Sequence, residues 1–179
     1  MQPRDGERFA DRTNPGASST GLDELQVARA LWFLQEYAAP LAINAATRSL
    51  LEGIDGDSLR ELAGERPDMN TFELGALIDR AITSAGGSVE ELTRESALYI
   101  CAVHYAKQVL AGTLGVRELA RWAHQQIGHE GPGWSEELVL LDDAFDEYAD
   151  FGGSWATEPD WRQVIGELLS APPPPATPG

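Results

Sequence analysis

The chain has 179 residues, 42% of them apolar, and a formal charge of −16 from 29 acidic and 13 basic side chains, with Lys107 the one lysine. That length suits one domain with a sizeable core, while so negative a balance argues against nucleic-acid backbones and anionic membrane surfaces as direct partners. Cys101 is the single cysteine, so no intramolecular disulfide can form; no apolar run approaches the roughly 18 residues of a membrane span and no apolar signal core stands near the N-terminus, so a cytoplasmic protein is expected.

Residues 1–19 are polar, carry Pro3, Gly6, Pro15 and Gly16 and show no periodicity, so they read as a disordered N-terminal arm. Thr20 and Asp23 form a capping box opening a helix to about Ala39, with Leu25, Ala28, Leu31, Trp32 and Leu34 on its core face. Pro40 breaks or kinks it, because proline lacks an N–H and crowds the preceding turn. A second piece follows over residues 41–52, with Leu41, Ala45, Leu50 and Leu51 as buried candidates and Gly53 closing it. Asp57 or Ser58 caps a short helix that buries Leu59, Leu62 and Ala63 and stops at Gly64. Asn70 or Thr71 caps the next, whose Leu74, Leu77, Ile78, Ala81, Ile82 and Ala85 repeat at helical spacing.

The longest segment spans residues 88–112. Ser88 and Glu91 form a capping box, Gly86 and Gly87 end the helix before it, and Gly112 is the residue expected just past its C-terminus. One apolar row runs Leu92, Ser96, Tyr99, Val103, Ala106 and Leu110, and a second runs Leu98, Ala102, Tyr105 and Val109. An arc that wide calls for contacts from several sides. After it, a helix over residues 115–126 buries Val116, Leu119, Ala120, Ala123 and Ile127 and ends at Gly128; residues 129–133 form a turn-rich link. Residues 134–150 form a helix through Trp134, Leu138, Leu141, Phe145 and Tyr148, and Gly152 and Gly153 stop it. Thr157 and Asp160 cap the last helix, which buries Trp161, Val164, Ile165, Leu168 and Leu169; residues 172–179 are a proline-rich disordered tail.

The expected fold class is therefore all-α: a single-domain helical bundle of about seven to eight helices, residues 20–171, around one long central helix. The stretch Gly53-Ile54-Asp55 with Leu59-Arg60-Glu61-Leu62-Ala63-Gly64, and the helix after it, resembles a group of small, acidic, all-helical proteins of uncharacterised function from GC-rich bacteria. That resemblance implies a helical fold and a bacterial cytoplasm, and carries no activity.

The largest compositional anomaly is the span 122–161, which has no lysine or arginine. On its helix Asp143, Glu147 and Asp150 share one face at i, i+4 and i+7, with Asp142 and Asp146 in a neighbouring row; such like-charge neighbours cost a few tenths of a kcal/mol each. A cationic partner that relieves the repulsion gains that energy. Glu136, Asp143, Glu147 and Asp150, with Trp155 in the following loop, are therefore the candidate binding residues for a basic protein surface, as in an antitoxin or immunity-type inhibitor. The competing reading is a small metal-dependent hydrolase using His124, His129 and the acidic helix. Their spacing matches no familiar zinc motif, and glycine-rich phosphate loops, nucleophile elbows and zinc-protease motifs are absent. Cys101 and His104, three residues apart, sit on the most apolar helix, where a reactive thiolate is not expected. The expectation is a non-enzymatic interaction module with no catalytic residue, no metal site and no cofactor.

Overall fold

The computed structural model describes residues 20–151 and 159–175. The expected N-terminal arm, the Gly152–Gly153 stop, Trp155 and Thr157 lie outside them. Among the described residues the chain forms eight α-helices and one 3-10 turn, with no strand: α1 Thr20–Phe33, α2 Ala39–Leu51, α3 Asp57–Ala63, α4 Thr71–Ser84, α5 Arg94–Leu110, α6 Val116–Gln126, the turn Gly133–Ser135, α7 Glu136–Phe151 and α8 Trp161–Ser170. No helix among them is long and apolar enough to cross a membrane.

Helix α1 ends earlier than its apolar pattern suggests. It stops at Phe33, and Gln35 takes a left-handed turn at φ 61°. Pro40 neither breaks nor kinks a helix; it sits in the first turn of α2, where a missing N–H leaves nothing unsatisfied. Of the expected core residues of α2, Ala45 is buried and Leu41 and Leu50 are half-buried against the first cluster, but Leu51 is not. Ala42, Ala45, Ala46 and Ser49 are fully buried, whereas Leu51 is 84% exposed. Small side chains there let α1 and α2 approach closely, with Gly21 laid directly on Ser49.

Caps decide the next boundaries. The N-cap of α3 is Gly56, not Asp57 or Ser58, and it offers no side-chain cap. At α4 the expected cap is in place: Asn70 Oδ1 accepts the Phe72 amide at 2.9 Å. Asn70→Ala should therefore cost about 1 kcal/mol, while Ser58→Ala should be near neutral; parallel urea titrations of the two variants check this.

The long helix begins six residues later than Ser88. Its capping box is Thr93 with Ser96: Thr93 Oγ1 accepts the Ser96 amide at 3.1 Å and Ser96 Oγ accepts the Thr93 amide at 3.0 Å. The segment before it is held off the helix from outside. Gln26 Nε2 donates to the Ser88 carbonyl at 2.9 Å, and Arg29, which also pairs with Asp79, donates to the Glu90 carbonyl at 2.6 Å. Those carbonyls serve as acceptors for α1 side chains instead of starting a helical ladder. At the other end Gly112, at φ +73°, closes α5 as its sequence position suggests.

Two apolar clusters result. The first gathers α1 to α4 with Ala97, Leu98 and Cys101 of α5; the second gathers α6 to α8 with Ala102, Ala106 and Val109 of α5. Tyr105, Trp122, Ile127 and Trp134 pack against both. Helix α5 is the longest, at 17 residues, yet it packs mainly on α1, α6 and α8. The helices α2 and α4 gather instead on α1. Tyr99 and Val103 are half-buried, while Leu110 is 56% exposed.

A polar contact ties the α1–α2 turn across the two clusters. Glu36 accepts the Trp122 indole N–H at 2.9 Å and lies 3.5 Å from the Tyr105 hydroxyl. Further along, Tyr99 donates to the Ala171 carbonyl at 2.6 Å, and Pro173 lies in a groove between α1 and α5. The first residues of the proline run are thus in contact with the helices.

Candidate functional site

Helix α6 and helix α7 are joined by a short link, which makes them antiparallel neighbours. The start of α6 meets the later part of α7, where Arg117 pairs with Asp146 at 2.5 Å and lies over the Phe145 ring at 5.6 Å. The end of α6 meets the earlier part, where His124 Nδ1 is 3.1 Å from Asp142 Oδ2. Leu138, Leu141 and Phe145 of α7 are buried, which fixes the helix rotation and turns Asp142, Asp143 and Asp146 towards α6.

The link adds a second imidazole. Gly128 ends α6 at φ +74° and turns the chain so that His129 comes back over His124, with ring centroids 4.9 Å apart, edge to face. Asp143 lies between them: Oδ1 is 3.6 Å from His124 Nδ1 and Oδ2 is 3.6 Å from His129 Nε2. The side chains of His124, His129 and Asp143 are 35%, 53% and 49% exposed, whereas Asp142 is only 14% exposed.

The expected binding residues therefore separate. Glu136, Glu147 and Asp150 are exposed on α7, with no ion pair to a cationic side chain among the described residues. Asp143 does not continue that unpartnered row; it belongs to the histidine cluster. Trp155 lies outside the described residues. The sequence put His124 and His129 beside the acidic helix in general terms. It did not single out Asp142, whose shielded position against His124 follows from the rotation of α7. The signal within reach was the short link, which obliges α6 and α7 to lie side by side.

The interior offers little chemistry. Burial, with Glu36 nearby, pushes the Cys101 thiol up, which is the reverse of what a nucleophile needs. His104 is held below the ordinary histidine value by burial and by Lys107, and its Nε2 is 2.9 Å from Gln108 Nε2. Tyr105 is shifted up by burial and by Glu36. His104, Tyr99 and Val103 line the groove of about 510 Å³ between α1 and α5, well separated in sequence from the α6–α7 cluster.

Compared with known proteins, the chain matches no family model, no curated protein and no solved structure.

Proposed function

We propose that the protein is a non-enzymatic interaction module of a bacterial cytoplasm, a single-domain bundle joined through α5, that presents the outer face of α7 to a lysine- and arginine-rich surface of another protein. The observation that carries the reading is the division of labour along α7. Asp142, Asp143 and Asp146 are turned to α6, and Glu136, Glu147 and Asp150 remain exposed without a cationic partner among the described residues. Carboxylates that meet no cation of their own chain keep their full Coulomb attraction for an incoming one, and a chain of charge −16 adds long-range steering towards it. Exposed Leu140 on the same helix supplies apolar area for such a contact.

The test is a salt-dependent capture with two charge-matched variants. One carries Glu136→Gln, Glu147→Gln and Asp150→Asn. The other carries Glu61→Gln, Glu65→Gln and Glu73→Gln, away from α7. The expected result is a basic protein retained from source-cell lysate, released by salt, and bound about tenfold more weakly by the α7 variant only. Equal losses in both variants would reduce the effect to net charge, and no loss in either would remove α7 from the interface.

A further inference from the structure

Two imidazoles and a carboxylate from three separate stretches of chain converge at the α6–α7 junction, and their separations are informative. At 3.6 Å, Asp143 is too far from either histidine nitrogen for a hydrogen bond. It is close to the spacing of two ligands on one ion: bonds of about 2.0–2.2 Å at tetrahedral angles place neighbouring donor atoms roughly 3.4 Å apart. One donor atom each from His124, His129 and Asp143 already lie within 4.8 Å of one another. Asp142 Oδ2 faces the same nitrogen, His124 Nδ1, at 3.1 Å, so an ion taking that nitrogen would displace this contact.

We propose that His124, His129 and Asp143 form a binding site for a divalent transition-metal ion of the zinc class, with water in the open coordination positions. Two neutral imidazoles favour zinc, nickel, cobalt or copper over magnesium and calcium, which prefer all-oxygen shells. Both His129 and Asp143 are about half exposed, so the small closure needed for bonding meets no packed core. The ion would join the end of α6, the link after Gly128 and the second turn of α7, and so act as a clip across that link. Nothing in this site uses Glu136, Glu147 or Asp150, so it stands or falls independently of the interaction face.

The experiment is a titration of chelator-treated full-length protein with zinc chloride by calorimetry, with cobalt chloride followed by visible absorption and calcium chloride as comparison. The expected result is one saturable zinc site per chain, with cobalt bands of tetrahedral or five-coordinate intensity and no saturable calcium binding. His129→Ala and Asp143→Asn should each weaken zinc by about tenfold or more. The variant Glu136→Gln, Glu147→Gln, Asp150→Asn should bind zinc as the parent does, which separates the site from diffuse attraction to an acidic surface. Circular dichroism of each variant confirms that it folds; His129 is exposed enough that its removal leaves the core untouched. Absence of saturable zinc binding in the parent overturns the proposal, as does zinc binding that His129→Ala and Asp143→Asn leave unchanged.

Discussion

Trp122→Ala should lower the stability of the protein by about 3 kcal/mol, the lower end of the cost of deleting a large core aromatic, because Trp122 is half-buried. Trp122 packs against both apolar clusters, meets Tyr105 edge to face at 5.0 Å between ring centroids, and donates its indole N–H to Glu36. Removing it opens a cavity where the clusters join and leaves Glu36 with only the longer contact to Tyr105. Since a domain of this kind holds only about 5–15 kcal/mol in total, the loss would be visible as a large fall in the urea midpoint. Trp122→Phe keeps most of the ring and loses the N–H, so about 1–2 kcal/mol should go with the hydrogen bond to the carboxylate. Trp134→Phe provides the contrast. Its buried indole N–H has no partner among the described residues, so the same exchange sacrifices no hydrogen bond and should cost less. If α5 couples the two clusters, Trp122→Ala shifts one cooperative transition read by far-ultraviolet circular dichroism and by fluorescence. Two separated transitions, with only one displaced, would show that the clusters unfold independently.

The second large effect is expected at the crossing of α1 and α2. A Cβ at position 21 would meet the Ser49 backbone, 2.7 Å from its nitrogen and 2.9 Å from its Cα, besides colliding with the Ser49 side chain. Backbone atoms in the interior of a helix cannot swing aside, so Gly21→Val must push the helices apart. The expected penalty is about 2–3 kcal/mol, at the upper end for overpacked sites. Ser49→Ala should not rescue it, because the obstructing atoms are main-chain. Rescue by Ser49→Ala would show that the hydroxyl alone made the contact tight. The Glu52 carboxylate, which accepts the Gly21 amide at 3.2 Å, would be displaced by the same movement.

Local chemistry was legible wherever a residue acts on its own neighbours. The Asn70 cap, the left-handed Gly112, and the burial of Leu25, Leu59, Ile78 and Ile165 follow from side-chain type and helical spacing alone. The errors fall where a distant element competes for the same groups. Ser88 carries a good capping sequence, but Gln26 and Arg29 reach across from α1 and hold the carbonyls beyond it. Leu51 looks like a core residue from its neighbours, yet α2 turns its alanines inward because Gly21 allows a close approach that a leucine face would block. The acidic helix was visible as a run of carboxylates, whereas their division between a histidine cluster and an open face was not.

The sequence by itself determined the helical character of the described residues, the glycine stops at Gly86, Gly112 and Gly128, and the strong negative charge, since these depend on propensity, periodicity and composition within a few residues. Only the tertiary structure decided the sharing of the core between two clusters, the tie from Glu36 to Trp122, and the meeting of His124, His129 and Asp143. Each of those depends on how one helix is rotated against another. That rotation is set by the summed packing of many buried side chains, which no single stretch of sequence contains.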